Sequence, residues 1–431
     1  MKLRLPTPTE ISIALIVFGS SLRNETSDEF TGMTYSSLGS MIRAAAFPLA
    51  IIGLFLIFLL FASKIISESQ RTRANWSLAA ALIFIFQLKL ITQTIYETEA
   101  DYRLMFGLAL QLTILIIFSI VLPTLKRSGE WIREICIGLA ISCAAFVVSN
   151  LYEFAANGAA TTWKGRFIGL TSHPNFMGVA AAHSCVILMA LLLDKQTDTK
   201  TKFALGALSL GALWLVIISG SRTGFISCLS GLFVLFLISL RGKALRYLVI
   251  ALPLALICVA IYSFMAPAAS DINTSRFTST QDTRSETWSY LIDDFNKSPF
   301  LGVGYKTSGT ANSYLRALAA SGVFGCLPFI FAILISMSKW WRIFFISLRA
   351  TYDIRFCALP LFITTLIGAV TEGYLLDLFT MPLLFFYAEI FVLTYLYRTR
   401  TIKNVRVADR GVRTRVFPSA RNVVSPTDQL S

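Results

Sequence analysis

Charged residues are scarce in this chain: they make up 14% of the 431 residues, whereas hydrophobic residues make up 55% and the mean hydropathy is +0.67. So few polar side chains cannot cover the surface of a water-soluble protein of this length. The composition therefore excludes a soluble protein and predicts an integral membrane protein. Its backbone amides must then be satisfied within helices.

Sequence features of metal and disulfide sites are also missing. The seven cysteines all fall inside apolar stretches and show neither a disulfide framework nor metal-ligand spacing. The chain contains two histidines, His173 and His183. We expect no metal and no cofactor. No internal repeat relates the two halves, although such repeats are common in transporters.

Twelve apolar segments approach the length of about 20 residues that crosses a bilayer. The predicted fold is all-α, a polytopic bundle of about 12 transmembrane helices with one large periplasmic loop. The predicted spans are 7–22, 44–62, 76–95, 104–122, 135–151, 175–193, 203–219, 223–240, 247–265, 312–337, 356–370 and 374–397. The first is the shortest in its apolar core, and we interpret it as a retained helix.

Cation placement predicts the orientation of the bundle. Most of the 38 basic residues fall in alternate connections, together with both termini. Because Lys and Arg in short loops favour the cytoplasm, both termini are predicted to be cytoplasmic. The net charge of +14 is mainly a topology signal on this interpretation, and no nucleic-acid partner is expected.

The chain divides into a transmembrane domain, residues 1–397, and a basic tail, residues 398–431. The tail lacks helical periodicity, so we expect it to be disordered and to lie against anionic lipid in the cytoplasm. The longest outer loop spans residues 266–311. Its apolar residues Trp288, Leu291 and Phe295 recur at helical spacing and predict a short amphipathic helix at the outer face.

Several cations lie on the outer side, against the expected bias. They comprise Arg166, Arg222, Arg276 and Arg284 in loops, and Arg43, Lys89, Arg103 and Arg316 in or near span ends. A cation at the membrane is costly unless it is paired, hydrated or functional. Arg43 and Arg103 are explained well by snorkelling, in which the side chain extends to the membrane interface. Lys89 has two equal explanations, which are snorkelling and the binding of a lipid phosphate.

Arg222 differs because it lies in "SGSRTG", a tight turn between two spans that leaves little loop to carry it away from the membrane. A guanidinium donates through a planar fork that suits phosphate oxygens. The helix that follows begins at once, and free amides at a helix N-terminus also favour anions. The turn therefore predicts a site for a lipid-linked diphosphate, although contact with ordinary lipid head groups is an alternative.

Other polar residues of the outer segments are candidates for catalysis or substrate binding. The candidate general bases are Glu286, Asp282 and Glu372, each of which could instead be a solvated or ion-paired carboxylate. His173 precedes Pro174 and suits a base less well than a helix cap. Asn312 and Arg316 lie one helical turn apart and could hold sugar or phosphate oxygens, with capping by Asn312 as the alternative. His183 is predicted to be a packed, hydrogen-bonded residue.

Four motifs between residues 164 and 397 resemble the O-antigen ligase and Wzy-type polysaccharide polymerase superfamily. They occur in the family's order, on the predicted outer side. They are "GRFIGLTSHPNFMG" with Arg166, Gly169, Pro174 and Asn175; "SGSRTGFIS" with Arg222; "RSETW…SPFLGVGY" with Arg284, Trp288, Gly302 and Gly304; and "ANSYLRALAASGVFG" with Asn312, Gly322 and Gly325. One departure is Ala311, which stands where the family's last signature begins with histidine.

The resemblance implies transfer of a glycan from undecaprenyl diphosphate to an acceptor hydroxyl at the periplasmic face of the bacterial inner membrane, without metal and with inversion. We predict Arg222, Arg284 and Glu286 as catalytic residues. The predicted substrate-binding residues are Arg166, His173, Asn175, Asn312, Arg316 and Glu372. The missing histidine at Ala311 fits a polymerase better than a lipid A ligase.

The sequence thus favours a polymerase that joins undecaprenyl-diphosphate-linked repeat units in the synthesis of an exopolysaccharide or O-antigen. A ligase that moves the glycan to a lipid or protein acceptor is the first alternative. A flippase or transporter of lipid-linked oligosaccharide is the second, but the outer cations cluster at one face. Expected partners are the lipid-linked oligosaccharide and membrane lipids, with a chain-length regulator as a further candidate.

Overall fold

The computed structural model describes residues 5–22, 33–67, 77–96, 102–125, 130–239 and 284–416. Over these ranges the chain is helical apart from its connections and one hairpin, in which β1 (Thr162–Trp163) pairs antiparallel with β2 (Arg166–Phe167). Nine of the described helices are long and apolar enough to cross a membrane, and two shorter apolar helices accompany them. The predicted all-α polytopic membrane fold is confirmed.

The helices have the following bounds. They are α1 Pro8–Ser21, α2 Ser37–Ser67, α3 Leu78–Tyr96, α4 Tyr102–Ile116, α5 Leu122–Leu125, α6 Glu130–Asn157, α7 Pro174–Leu193, α8 Thr199–Ile218, α9 Arg222–Ser239, α10 Ser285–Lys297, α11 Ser313–Ser347, α12 Ala358–Thr371 and α13 Met381–Val416. A π-helical turn, Ile117–Val121, joins α4 to α5, and a 3₁₀ turn, Ile354–Cys357, leads into α12.

Each predicted span except the ninth coincides with a described helix, and the ninth, 247–265, lies outside the described residues. The predicted amphipathic helix is also present, as α10. The last span begins later than predicted. Residues 372–380 form a turn, in which Leu376 donates to the Gly373 carbonyl at 3.0 Å, and α13 starts at Met381 instead of at residue 374.

The last helix also ends later than predicted. Residues 398–416 are helical where the sequence analysis expected disorder, because α13 continues past the apolar span to Val416. Arg and Lys are good helix formers, so a basic segment can continue a helix that packing has already started. The rest of the tail, residues 417–431, lies outside the described residues. The orientation with both termini in the cytoplasm stays a prediction.

Helix α7 lies at the centre of the bundle and packs against α6, α8, α9 and α12. Glycines bring α7 and α9 together where both helices begin. A Cβ on Gly178 would lie 2.4 Å from the Cβ of Ser221, and a Cβ on Gly224 would lie 2.5 Å from the backbone of Gly178. This close approach places the Arg222 turn directly beside the start of α7.

Helix α11 is broken at Gly322, whose φ of 63° and ψ of −178° suit only glycine. The 298–304 loop satisfies the backbone groups that the break sets free. Before the break, the carbonyls of Ala319 and Ala320 accept loop N–H groups at 2.9 and 3.0 Å. After it, the N–H of Val323 donates to a loop carbonyl at 2.8 Å. The segment that contains Gly302 and Gly304 and the break at Gly322 are therefore held together by backbone hydrogen bonds, an arrangement that we call the interlock.

We expect Gly322→Ala to destabilise the protein by about 3 kcal/mol, because positive-φ strain adds to overpacking. A Cβ at this position would lie 2.4 Å from the backbone of Phe300. A fall in the midpoint of thermal unfolding in detergent would measure the effect. Gly206→Ala in α8 is the matched control, since its Cβ would lie 3.4 Å from its nearest neighbour, the Leu192 side chain. Equal stability of the two variants would contradict the interlock.

Candidate functional site

Four connections meet at one end of the bundle, which we call the loop end. They are the β1–β2 hairpin with the following turn, the α8–α9 turn, the segment before α11, and the 372–380 turn. Side-chain and backbone hydrogen bonds join them: Arg166 donates to the Ser219 carbonyl, and Ser313 donates to the Glu372 carbonyl. Of the nine predicted site residues, Arg166 and Glu372 take part in these joints directly.

Arg166 is a buried tie between three elements. Its Nη2 donates to the Asn175 side-chain oxygen at 2.5 Å, and its Nε donates to the Ser219 carbonyl at 3.1 Å. Gly220, with a φ of 58°, makes room, because a Cβ there would lie 3.2 Å from the arginine side chain. Two donors of Arg166 are therefore already engaged within the protein, and its hydrogen bond orients Asn175.

His173 caps α7. Its Nδ1 accepts the backbone N–H of Asn175 at 3.0 Å, and Pro174 occupies the first helical position. The interpretation of His173 as a helix cap is confirmed. Substrate binding by His173 stays a prediction. The cap fixes the first turn of α7 and with it the position of Asn175.

An ion pair between Arg284 and Glu372 lies at the centre of the loop end. Arg284 Nη2 is 2.5 Å from Glu372 Oε1, and the side chains are 25% and 13% exposed. The Thr223 hydroxyl donates to the same carboxylate oxygen at 3.2 Å and lies 3.3 Å from Arg284 Nη2. The start of α9, the start of α10 and the end of α12 therefore converge on one carboxylate.

The surroundings of Glu372 change its proton affinity. Burial raises the pKa of the Glu372 carboxyl above its ordinary value, while Arg284 and the hydrogen bonds from Thr223 and Asn175 act in the opposite direction. Through Asn175, Glu372 is linked to Arg166 as well. The result is a partly dehydrated carboxylate that pairs with Arg284 and is hydrogen-bonded to Asn175, a setting typical of functional carboxylates.

Arg222 is half-buried and begins α9, directly before Thr223 of this cluster. The sequence analysis expected free amides at this helix start. The structure shows instead that Ser221 caps it, because the N–H of Gly224 donates to the Ser221 hydroxyl at 3.1 Å. Any anion binding at this turn must therefore rely more on the guanidinium than on that amide.

A second ion pair lies on the same 372–380 turn. Arg316 Nη1 is 2.5 Å from Asp377 Oδ1 and donates to the Gly373 carbonyl at 3.3 Å. The guanidinium of Arg316 also lies 5.3 Å from the ring centre of Tyr305. Asn312 does not share this environment, because its side-chain oxygen caps α11 by accepting from Tyr314 and Leu315. Its φ of 65° places the cap in a left-handed conformation.

Glu286 lies apart from these pairs. It is exposed in the first turn of α10, and Tyr290 donates to its Oε1 at 2.8 Å. Its catalytic role stays a prediction, but the geometry favours Glu372 over Glu286 as the base. The other candidate base, Asp282, and the loop cation Arg276 lie outside the described residues.

Three more sequence candidates have structural partners. Lys89 donates to Gln93 at 2.6 Å and to the Leu301 carbonyl at 2.7 Å, so it ties α3 to the 298–304 loop. His183 is buried and contacts Val179 and Thr365 at 2.8 and 2.9 Å, as the packed-residue interpretation expects. Arg43 is buried with its guanidinium 4.0 Å from the ring centre of Tyr35. The side chain of Arg103 lies outside the described part of the chain.

Sequence reasoning did not single out Thr223, Asp377 or Tyr305. Thr223 follows Arg222 in the turn motif, so its polarity between two apolar spans was an available signal. Asp377 is a single carboxylate after the apolar residues 374–376, inside the predicted last span, and its charge there was the available signal. Among the residues that the structure describes, no group of three or more His, Cys, Asp or Glu side chains is placed to hold a metal ion.

The fold and the site define a polytopic membrane protein with paired arginines and carboxylates at one end of its bundle. Residues 207–330 match the family model described as O-Antigen ligase. The matched segment contains Arg222, Arg284, Asn312 and Arg316, and it confirms the resemblance to the O-antigen ligase and Wzy-type superfamily. No curated protein matches the chain. The match supports a membrane enzyme of the ligase or polymerase type.

Proposed function

We propose that the protein is an inner-membrane polysaccharide polymerase. It transfers a glycan from undecaprenyl diphosphate onto a second lipid-linked repeat unit at the periplasmic face. The observation that carries this proposal is the Arg284–Glu372 pair. Its cation can stabilise the leaving diphosphate, and its carboxylate can take the proton of the acceptor hydroxyl. The family match to residues 207–330 supports it, since that segment supplies Arg284 and Arg222.

The proposed reaction is a single displacement. The acceptor hydroxyl oxygen forms a bond to the anomeric carbon of the donor glycan and loses its proton to Glu372. The bond between that carbon and the diphosphate oxygen breaks, and the diphosphate leaves with the electron pair. Attack opposite the leaving group inverts the anomeric carbon. A proton acceptor within hydrogen-bond reach commonly contributes about 10²–10⁴-fold to such a rate.

The negative charge that develops on the diphosphate needs stabilisation more than protonation. Arg284 donates to the Thr223 hydroxyl, and Arg222 precedes Thr223 in the chain. We assign both guanidinium groups this role, in the manner of fixed charges that stabilise an oxyanion. We assign the reaction no metal on this basis. Arg166 and Asn175 act as positioning residues, because Asn175 donates to Glu372 and Arg166 donates to Asn175.

A ligase is the second candidate, and the description of the matched family favours it. Both reactions share the chemistry above and differ in the acceptor. Deletion of the gene separates them: single repeat units on the lipid carrier accumulate when a polymerase is lost, whereas long lipid-linked chains accumulate when a ligase is lost. Residue 311 is alanine, whereas the family's last signature begins with histidine, and this difference is the sequence feature that favours the polymerase.

Reconstitution tests the proposal directly. Purified protein in liposomes, given an undecaprenyl-diphosphate-linked repeat unit, should form new glycosidic bonds and release undecaprenyl diphosphate. Chromatography of the extracted lipids and mass spectrometry of the glycans measure both products. Movement of the lipid across the bilayer without bond formation would support a flippase and contradict the enzyme.

A further inference from the structure

Two threonine hydroxyls form a chain that ends on the Glu372 carboxylate. Thr371 ends α12 directly before Glu372, and its hydroxyl oxygen is 2.7 Å from that of Thr223 at the start of α9. The Thr223 oxygen is in turn 3.2 Å from Glu372 Oε1 and 3.3 Å from Arg284 Nη2. Thr223 is buried and Thr371 is half-buried, so water competes little for these contacts.

The number of available protons fixes the direction of this chain when Glu372 is ionised. A hydroxyl has one proton to donate and two lone pairs that accept, whereas a carboxylate only accepts. Thr223 must therefore donate to Glu372, and the 2.7 Å contact then requires Thr371 to donate to Thr223. Arg284 donates to the other lone pair of Thr223. Every hydrogen-bonding position of the Thr223 hydroxyl is then filled.

Protonation of Glu372 at Oε1 would reverse both hydroxyls. The carboxyl proton would point to Thr223, so Thr223 would have to donate to Thr371. Thr371 would then have to donate to the Gly368 carbonyl, which is 3.4 Å away. Hydroxyl donors usually lie about 2.5–3.0 Å from their acceptors, so this bond is weak. The chain therefore stabilises the ionised form of Glu372 over the protonated form.

The other neighbours of Glu372 keep their place and their charge when a threonine hydroxyl is removed. Asn175 also donates to the carboxylate, because its side-chain oxygen accepts from Arg166. Arginines stay protonated at any pH that the protein tolerates. The charged and titratable groups on the surrounding elements are Arg284 on α10, Arg222 before Thr223, Arg166 behind Asn175, Tyr374 on the 372–380 turn, and the Arg316–Asp377 ion pair.

We propose that the chain from Thr371 through Thr223 keeps Glu372 ionised and therefore ready to take the proton of the acceptor hydroxyl. Thr223 is a positioning residue that touches the carboxylate, and Thr371 acts only through Thr223. Burial raises the pKa of Glu372, and the hydrogen bond from Thr223 acts against that rise. The role of Glu372 as the base belongs to the proposed function, on which this inference rests.

An infrared titration of the purified full-length protein tests the chain without measuring transfer. The carbonyl stretch of a protonated carboxyl that is absent from Glu372→Gln reports the protonation of Glu372. In Thr223→Val its midpoint should move to higher pH by about one to two pH units, because the ionised form loses a donor. Thr371→Val should move the midpoint in the same direction by less. Thr223→Ser and Thr371→Ser keep the hydroxyl and should titrate like the wild type.

A double variant distinguishes a chain from two separate effects. Because Thr371 reaches Glu372 only through Thr223, Thr223→Val combined with Thr371→Val should shift the midpoint no further than Thr223→Val alone. Thr364→Val is the matched control, since Thr364 is buried in the same helix and donates to the Pro360 carbonyl at 3.0 Å. Its midpoint should equal that of the wild type. Additive shifts, or an unchanged midpoint in Thr223→Val, would overturn the proposal.

Measurements of transfer separate this inference from the proposed function. In reconstituted protein, the acidic limb of the rate should move together with the infrared midpoint in each variant, while the rate above the limb changes little. If the infrared midpoint moves and the limb does not, Glu372 is not the base, and the chain stands without the proposed catalytic role. If Glu372→Gln removes the limb and the valine variants leave both quantities unchanged, the chain alone fails.

Discussion

Replacing Glu372 by glutamine should lower the rate of glycan transfer by about 10²–10⁴-fold, the usual contribution of a general base. Glutamine keeps the size of the side chain and an oxygen that can accept from Arg284 and Thr223. It cannot take up the proton of the acceptor hydroxyl. Membrane extracts of a deletion strain that expresses Glu372→Gln should therefore contain normal amounts of the protein and single repeat units on the lipid carrier.

The pH dependence of the wild type should identify the same carboxyl. Because burial raises the pKa of Glu372, the rate should fall on acidification at a pH above the ordinary glutamate pKa of about 4.3. The base is lost when it becomes protonated, so activity is present above this pKa and disappears below it. In reconstituted protein, the residual rate of Glu372→Gln should lack this acidic limb.

Two further carboxylates provide the comparison. Glu286→Gln tests the other predicted base, and because Glu286 is exposed and contacts Tyr290, we expect its rate to stay near that of the wild type. Asp293→Asn, on the exposed side of α10, controls for the loss of one negative charge near the site. Full activity of Glu372→Gln together with inactive Glu286→Gln would reverse the assignment of the base.

The helices could be predicted from the sequence because a membrane span is a local property, a run of apolar residues of a given length. The amphipathic helix α10 was predicted from its spacing in the same way. The start of α13 was not, because residues 374–376 are apolar enough to continue a span. They turn instead, since Asp377 pairs with Arg316 from α11, a contact 61 residues away in the chain.

The site shows the same limit. Turn residues such as Arg222 and caps such as His173 and Asn312 could be identified from their neighbours in sequence. The partner of Arg284 could not, because Glu372 lies 88 residues away, and which carboxylate reaches the arginine depends on how α9, α10 and α12 pack. The nearer candidate, Glu286, faces along its own helix instead.

Replacing Arg284 by glutamine should lower the rate of transfer by about 10²–10³-fold, as expected when one donor to a developing anion is removed. The guanidinium is the cation that contacts Glu372, so its loss weakens both the binding of the diphosphate and the orientation of the base. Arg284→Lys keeps the charge but loses the planar fork, and we expect an intermediate rate. Arg222→Ala should likewise stop chain growth while the protein stays inserted.

Stability measurements separate this role from a purely structural one. Arg284→Gln leaves Glu372, which is 13% exposed, without its cation, so we expect a loss of about 1–3 kcal/mol in detergent. Adding Glu372→Gln removes the remaining charge and should restore much of that stability without restoring transfer. Arg342→Gln, an exposed arginine at Tyr397, should change neither quantity. If the double variant recovers chain growth together with stability, the pair only supports the fold, and the diphosphate must be held elsewhere.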